Sequence, residues 1–271
     1  MAVIAAAGLF ILMTVTRQTN GQTFSTKALQ TALEMNQGLM SVLPQPTIHP
    51  TTDPPGNFKN VIPSDFDPGK RYLVQASWLS GIGCVSNGFT AIPNSSFTGV
   101  AGTAPYTDTA CPSGDSNDQR NEGLLLAKTG PTENFAAAVA ELINVKSITL
   151  TELGYDIRKS GGIPASPLGS HCGAGAPRFD VVTADGAVHF LGCDSPPPTV
   201  TSASTDWMRL RWDSTALAAA FPPITATDVV SRIVIVFDDG TDTGPDFFGA
   251  AVLDNIDVNG TLVGSGPVTA N

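Results

Sequence analysis

The sequence predicts an all-β fold, an antiparallel jelly-roll-like β-sandwich preceded by one long N-terminal α-helix. Two observations favour this architecture. From residue 61 onward, short apolar and β-branched runs alternate with turns rich in Gly, Pro, Asn and Asp, a pattern typical of strands. Residues 1–43, in contrast, contain no proline and are largely apolar, which favours a helix.

The composition indicates an exported protein. Only 14% of the 271 residues are charged, well below the roughly 25% of typical soluble domains. The net charge of −10 leaves no basic stripe to neutralise phosphates, so a nucleic-acid partner is excluded, as is docking on anionic lipid headgroups. We therefore expect an extracellular or cell-surface protein that leaves the cell by bacterial-type export.

The N-terminal helix is predicted to have two environments. Residues 2–15 carry no charge, yet the run is shorter than the roughly 20 residues of a membrane span, and it lacks a basic region and a cleavage site. The second half is amphipathic and ends at Pro44. An all-round apolar half needs copies of itself or a bilayer to cover it. Its anchoring side chains are predicted to be Ile4, Leu9, Phe10, Ile11, Leu12, Val15 and Phe24.

The remaining chain divides into a Pro-rich linker at 44–60, a β-sandwich head at 61–265 and a tail at 266–271. ADG at 184–186 predicts a hairpin, and 132–143 is compatible with a helix or with a loop containing a helical turn. In WMRLRWD, alternation places Trp212 towards the core, with Arg209 and Arg211 opposite. These arginines are expected to be solvated, or paired with Asp206 or Asp213. Strands are predicted at 70–79, 122–128, 148–158, 178–183, 187–193, 206–213, 232–238 and 251–258.

The even number of cysteines predicts two disulfides, since no CxxC pattern indicates a metal or redox site. Pairing between neighbours in sequence, Cys84 with Cys111 and Cys172 with Cys193, closes two modest loops and is preferred. Two other pairings and four buried free thiols are the alternatives.

The acidic stretch from 237 to 260 predicts a structural calcium ion. Asp238, Asp239 and Asp242 lie in one Gly-rich loop, where carboxylates are the ligands that Ca²⁺ prefers, although the spacing is not that of an EF-hand. A solvated acidic turn is the alternative. Asp254 lies on the following strand among core residues, and a buried carboxylate needs a cation or several donors.

The strand AVLDNIDVNG, which follows RFDVVTADG, WMRLRWD and RIVIVFDDG, resembles the last strand of jelly-roll carbohydrate-binding modules and galactose-binding-like domains. The resemblance implies a structural calcium on the side of Asp254, with Glu122 as an earlier ligand. It also implies an aromatic sugar platform, for which Trp78 and Trp207 are the candidates.

The N-terminal 44 residues resemble the first helix of type IV pilins and type II secretion pseudopilins, without its first turns. That resemblance implies a filament whose core is made of these helices, assembled at the membrane. An atypical signal peptide and a simple hydrophobic anchor are the alternatives.

Catalytic motifs are absent from the sequence, and the carboxylate pairs Glu122 with Asp156 and Glu152 with Asp238 would need a cleft to act. We therefore predict a non-enzymatic surface protein, a pilin-like filament subunit with an acidic head facing solvent. The alternative is a carbohydrate- or glycan-binding β-sandwich module.

Overall fold

The head consists of two antiparallel sheets packed face to face. The computed structural model describes residues 60–84, 122–130, 135–159, 176–193, 195–203, 207–238 and 248–265. The strands within these ranges are β1 Val61–Phe66, β2 Val74–Ser80, β3 Glu122–Thr129, β4 Ala137–Leu142, β5 Glu152–Lys159, β6 Arg178–Thr183, β7 Val188–Gly192, β8 Thr199–Ala203, β9 Met208–Asp213, β10 Val230–Phe237, β11 Phe248–Val258 and β12 Thr261–Val263. One short helix, α1 (Ser214–Leu217), follows β9 and is capped by Asp213.

The two sheets enclose one apolar core. The first has five strands in the order β1-β4-β10-β6-β7, and the second has seven, in the order β2-β3-β11-β5-β9-β8 with β12 beside β11. Alternate residues of each strand point inward, so that Leu253 of β11 and Ile235 of β10 lie in the same core. The all-β antiparallel sandwich predicted from the sequence is confirmed for the described residues.

Most predicted strands are present, with shifted ends. The run at 178–183 is β6 to the residue, and the hairpin at 184–186 connects it to β7, with Gly186 in the left-handed region at φ 87°. Alternation in β9 is also confirmed, because Trp212 is fully buried in the core. The sequence patterns missed four strands, namely β1, β4, β8 and β12.

The prediction of a helix or a helical turn at 132–143 is wrong, because Ala137–Leu142 forms β4. This strand lies between β1 and β10 and pairs with both. Five of its six residues are buried, and small alanine side chains fit the space that the two neighbouring strands leave. Tertiary packing therefore outweighs the high helix propensity of alanine.

The predicted N-terminal helix 1–43, almost all of the linker and the tail 266–271 lie outside the described residues. The chain divides into two units, Met1–Ile48 and His49–Asn271, and all described residues belong to the second. Within the described part of the chain, no helix has the length and apolar character that crossing a membrane requires. The filament and anchor predictions for the N-terminal segment therefore stay predictions.

Candidate functional site

An ionic network lies on the outer face of the seven-stranded sheet, the face that points away from the core. Leu153, Tyr155 and Ile157 of β5 face inward, so that Glu152 and Asp156 face outward. The same alternation places Arg209 and Arg211 of β9 on this face. With Asn255 and Asp257 of β11, these side chains form what we call the outer-face network: Glu152, Asp156, Arg209, Arg211, Asn255 and Asp257.

Asp156 is the centre of the network and is fully buried. The guanidinium of Arg209 donates from Nε and Nη2 to its two carboxylate oxygens, at 2.8 and 2.9 Å. Asn255 Nδ2 donates to Asp156 Oδ2 at 2.8 Å, and Arg211 Nη1 lies 3.7 Å from Oδ1. Because the neighbouring strands β9 and β11 both contribute partners, the carboxylate is held in one orientation.

A β-bulge in β11 brings Asn255 into this network. The register with β5 shifts between Asp254 and Asp257, and Asn255 has φ 45°, in the left-handed region. Asparagine tolerates this conformation better than most residues, and the extra residue re-aims the neighbouring side chains. Asp254 and Asn255 therefore serve different partners, although they are consecutive in the strand.

Arg211 crosses β5 at a glycine. Its Nε lies 3.3 Å from Asp257 Oδ2, and its Nη1 donates to the carbonyl oxygen of Leu210 at 2.7 Å. A Cβ atom on Gly154 would lie 2.4 Å from Arg211 Cδ and 2.7 Å from the same carbonyl oxygen. Glycine at position 154 therefore makes room for the arginine to lie flat across the sheet.

Burial shifts the ionisation of three network groups. It raises the pKa of Asp156 even though Arg209, Asn255 and Arg211 favour the carboxylate. Burial likewise lowers the pKa of Arg211, against the attraction of Asp156 and Asp257. The pKa of Glu152 is raised by burial and then by the charge and hydrogen bond of Asp257. Perturbed groups of this kind concentrate at functional sites.

Substituting Gly154 by alanine is expected to destabilise the head by about 1–3 kcal/mol, because the new methyl group collides with Arg211 and with main chain. Urea unfolding of Gly154→Ala against the parent measures this loss. The control is Gly69→Ala, whose Cβ would lie no closer than 3.4 Å to the flexible side chain of Arg71. Equal stability of Gly154→Ala and the parent would contradict the close approach.

The two tryptophans predicted to form a sugar platform differ in their surroundings. Trp207 is only 3% exposed and packs with Cys84 and Val252 on the outer face. Trp78 is half-buried against the core, and its Nε1 donates to the carbonyl oxygen of Val61 at 2.8 Å. Trp207 is thus too buried to serve as an exposed platform, whereas the platform role of the half-buried Trp78 stays a prediction.

The burial of Trp207 results from a chain segment that crosses the sheet. Residues 81–84 run over β3 and β11, and a Cβ on Gly123 would lie 3.0 Å from the main chain at Gly83 and Ile82. Asp254 Oδ2 accepts the amide hydrogen of Cys84 at 2.6 Å, which fixes the end of this segment. The outer-face network lies beside the crossing segment, over β5, β9 and the bulge of β11.

The predicted metal ligands go to separate partners. Both oxygens of Asp238 accept from Arg178, at 2.7 and 2.8 Å, and Glu122 hydrogen-bonds Ser265. Burial disfavours ionisation of Asp238, but the charge of Arg178 outweighs it and lowers the pKa. Asp254 lies beside the main chain of Glu122, since a Cβ on Gly83 would approach Glu122 O and Asp254 Oδ2 to 2.5 and 2.8 Å.

No cluster of three or more His, Cys, Asp or Glu side chains suited to a metal occurs among the described residues. Asp239 and Asp242 lie outside them. Both carboxylate oxygens of Asp238 already accept hydrogen bonds from Arg178. The described residues therefore do not bring the predicted calcium ligands together. The calcium site therefore stays a prediction.

Removal of calcium by EDTA is expected to lower the melting temperature of calcium-loaded protein by about 5 °C, because an ion that binds only the folded state stabilises it. Differential scanning calorimetry with and without EDTA, followed by re-addition of Ca²⁺ or Mg²⁺, measures the effect. Asp254→Asn should abolish the calcium response. A melting temperature that is the same with and without EDTA contradicts the prediction.

Two predicted disulfide residues can be located. Cys84 and Cys193 are each 1% exposed, and neither is a free thiol. Cys111 and Cys172 lie outside the described residues, so the preferred pairing stays a prediction. Cys84 belongs to the segment that covers Trp207, which ties this cysteine to the same face as the network.

The network itself was missed by sequence reasoning. The expectation that Arg209 and Arg211 are solvated is wrong, because they bind Asp156 and Asp257. Asp206 lies outside the described residues, so a pairing with it stays a prediction. Of the carboxylates considered in the sequence, Asp238 binds Arg178 and Glu152 lies beside Asp257. Polar residues alternating with Leu153, Tyr155 and Ile157 were the available signal, but their partners lie on strands distant in sequence.

Comparisons with known proteins give a fold likeness only. No family model matches the chain, and no curated protein matches it. Two solved structures are similar at 11% identity: a family 11 carbohydrate-binding module from Clostridium thermocellum in complex with a β-1,3-1,4-mixed-linked tetrasaccharide, and the family 11 module of the cellulosomal cellulase Lic26A-Cel5E of the same organism. They cover 75% of this chain, and 91% and 89% of their own, with TM-scores of 0.33 and 0.31. At such values the function has to be argued from this chain's own residues.

Proposed function

We propose that the head is a non-catalytic, extracellular glycan-binding module, whose ligand lies on the outer face of the seven-stranded sheet. The observation that carries this proposal is the outer-face network, in which three pKa-shifted groups and a bidentate arginine–carboxylate pair lie on one face. The two accessible members are Glu152 and Arg209, both half-buried. The buried members form a fixed layer beneath them.

The stability of the fold does not by itself explain a buried ionic network of this kind. Buried ion pairs seldom stabilise a fold more than apolar side chains of the same size, because desolvation offsets their attraction. Here the pKa of Asp156 stays raised although Arg209 binds both of its oxygens, so desolvation is not fully offset. Rigid support of surface groups that bind a ligand is a role that such a layer fulfils.

The donor and acceptor pattern suits hydroxyl groups. At the surface of the patch Glu152 supplies acceptors and Arg209 supplies donors, with the buried Asp257 and Arg211 beneath them. Sugar hydroxyls both donate and accept, so adjacent hydroxyls of one ring match alternating carboxylate and guanidinium groups. Because the arginines are already paired with Asp156 and Asp257, the patch carries no surplus positive charge for phosphate or sulfate.

The geometry favours binding over hydrolysis. Glycosidases hold two carboxyl groups about 5–9.5 Å apart on either side of a sugar bond. Glu152 instead lies beside the carboxylate of Asp257, and Asp156 is fully buried and bound by Arg209. These carboxylates support a ligand rather than act on it, so we propose a neutral polysaccharide as the bound class.

The test is the retention of the full chain on soluble neutral polysaccharides, with β-glucan, xylan and galactomannan as probes in affinity electrophoresis and titration calorimetry. Glu152→Gln should weaken binding about tenfold, because it removes a charged acceptor at the surface. Glu141→Gln is the matched control, since Glu141 is a half-buried glutamate like Glu152 but binds Arg232 on the outer face of the other sheet.

Failure to bind any of the three polysaccharides would overturn the proposal. Equal weakening by Glu152→Gln and Glu141→Gln would also overturn it, because the binding face would then not be the outer face of the seven-stranded sheet. Release of reducing ends during incubation would show catalysis and replace the binding module by a hydrolase.

A further inference from the structure

We propose a second binding site, for anionic polysaccharide, at the corner of the sandwich where β1 and β2 meet. It consists of Lys70, Arg71, Tyr72 and Phe135, which we call the basic–aromatic corner. This site is distinct from the outer-face network and does not depend on the function proposed above. Its evidence is exposure, backbone conformation and charge.

Two aromatic side chains at this corner are exposed to an unusual degree. Tyr72 is 94% exposed and Phe135 is 59% exposed. Both have φ 58°, in the left-handed region, where a bulky side chain is disfavoured. Neither residue gains compensating burial, and backbone outliers of this kind concentrate at binding sites.

The two aromatics belong to the same end of the sandwich. Phe66 of β1 is opposite Ala137 of β4, so Phe135 lies two residues beyond the end of that pairing. Ala76 of β2 donates to Asp65 Oδ1 of β1 at 2.6 Å, which joins the two strands near their shared end. Tyr72 precedes β2 by two residues and therefore lies at the same end.

The loop that carries Tyr72 is braced. Asp67 accepts from Lys70 through its carbonyl oxygen at 2.9 Å and from Leu73 through Oδ2 at 3.2 Å. The carbonyl oxygen of Leu73 accepts from Thr129 on β3 at 2.8 Å. These three hydrogen bonds hold both ends of the turn, so the exposed side chains project from a fixed backbone.

The corner carries two cations, whereas the neighbouring carboxylates of Asp65 and Asp67 accept main-chain amide hydrogens from β2 and the turn before it. Lys70 and Arg71 are consecutive and exposed, and within the described chain no ion pair holds either side chain. By contrast, Arg178, Arg209 and Arg232 are all paired with carboxylates. In a chain of net charge −10, two unpaired cations beside two exposed rings fit an anionic ligand.

The small number of side chains in the basic–aromatic corner limits the classes of anionic ligand that it can bind. A stable protein interface buries about 1,200–2,000 Å², more than four side chains supply. Duplex DNA binding commonly uses about six to ten phosphate contacts, and anionic membranes about four to eight basic residues. A carboxylated or sulfated sugar needs one guanidinium fork for its anionic group and an aromatic face for its ring.

The test measures binding of the full chain to polygalacturonate and to heparin, with carboxyl-reduced polygalacturonate as the neutral counterpart. Arg71→Gln should weaken binding to polygalacturonate about tenfold, because a charge-assisted hydrogen bond is lost. Tyr72→Ala should also weaken it, without loss of folding, since the ring is exposed. Lys146→Gln is the matched control, an exposed lysine at the opposite end of the sandwich.

The carboxyl-reduced polymer should bind at least ten times more weakly than polygalacturonate. Absence of binding to both polygalacturonate and heparin overturns the proposal, as does equal weakening by Arg71→Gln and Lys146→Gln. Tighter binding to single-stranded DNA than to either polysaccharide would identify a nucleic-acid surface instead. Glu152→Gln should leave polygalacturonate binding unchanged, so failure of the neutral-glycan site is separable from failure of this one.

Discussion

Substitution of Arg209 by methionine is expected to destabilise the head by about 3–5 kcal/mol at pH 8, because it leaves the Asp156 carboxylate buried without its bidentate partner. Asp156 is fully buried, and Arg209 supplies two of its hydrogen bonds. Asn255 and the more distant Arg211 remain, but neither replaces the guanidinium. Urea unfolding followed by tryptophan fluorescence measures the loss.

The loss should depend on pH in a defined direction. The pKa of Asp156 is already raised by burial, and removal of Arg209 raises it further. A carboxyl group with a raised pKa in the folded state holds a proton that the unfolded chain releases. Stability of Arg209→Met therefore falls as the pH rises from the unfolded pKa, about 3.9, to the higher folded pKa. The variant should lie closer to the parent at pH 5 than at pH 8.

Two further variants separate charge from packing. Arg232→Met breaks a similar bidentate pair, but its partner Glu141 has a side chain 17% exposed, so the loss should be smaller and less dependent on pH. The double variant Asp156→Leu with Arg209→Met removes both charges and should recover at least half of the loss. A double variant as unstable as Arg209→Met would show that the unpaired charge is not the cause.

Local patterns in the sequence were sufficient to predict which side chains face the core where this depends on a single strand. Alternation in β9 placed Trp212 inward correctly, because the period of two is a property of the strand alone. They failed at β4, where alanines fill a space set by strands β1 and β10. No property of residues 137–142 by themselves reveals those neighbours.

The candidate site depends on contacts between strands that are distant in sequence. Asp156 and Arg209 are 53 residues apart, and Asp156 and Asn255 are 99 apart. The bulge that re-aims Asn255 is likewise a matter of register between β5 and β11. The cluster of acidic residues within 237–257 could be recognised as unusual from the sequence. Whether their partner is a cation or an arginine could not be assigned from one strand alone.

The same dependence explains the burial of Trp207. Its strand alternation correctly puts it on the outer face, which on most antiparallel sandwiches is solvated. Residues 81–84 cross this face, and two glycines, Gly83 and Gly123, permit the close approach. A tryptophan expected to be exposed is therefore buried, although the alternation of the adjacent strand β9 is as predicted.

The second large effect is expected at Trp212, whose replacement by alanine should destabilise the head by about 3–5 kcal/mol. Its ring is fully buried and lies 5.2 Å from Tyr155 and 5.8 Å from Phe179, measured between ring centroids. Trp212 and Tyr155 belong to the seven-stranded sheet and Phe179 to the five-stranded one. The three rings therefore join the two halves of the sandwich, and alanine would leave a cavity between them.

Trp212→Phe provides the matched control, since it keeps an aromatic ring in contact with Tyr155 and Phe179. It removes the hydrogen bond from Trp212 Nε1 to the carbonyl oxygen of Pro196, which measures 2.9 Å. We expect this variant to lose about 1–2 kcal/mol, because the carbonyl oxygen is left without that donor and the smaller ring fills less space. Comparable losses for alanine and phenylalanine would assign the effect to the hydrogen bond. A loss at alanine several times greater would assign it to the packing of the three rings, and hence to the contact that holds the two sheets together.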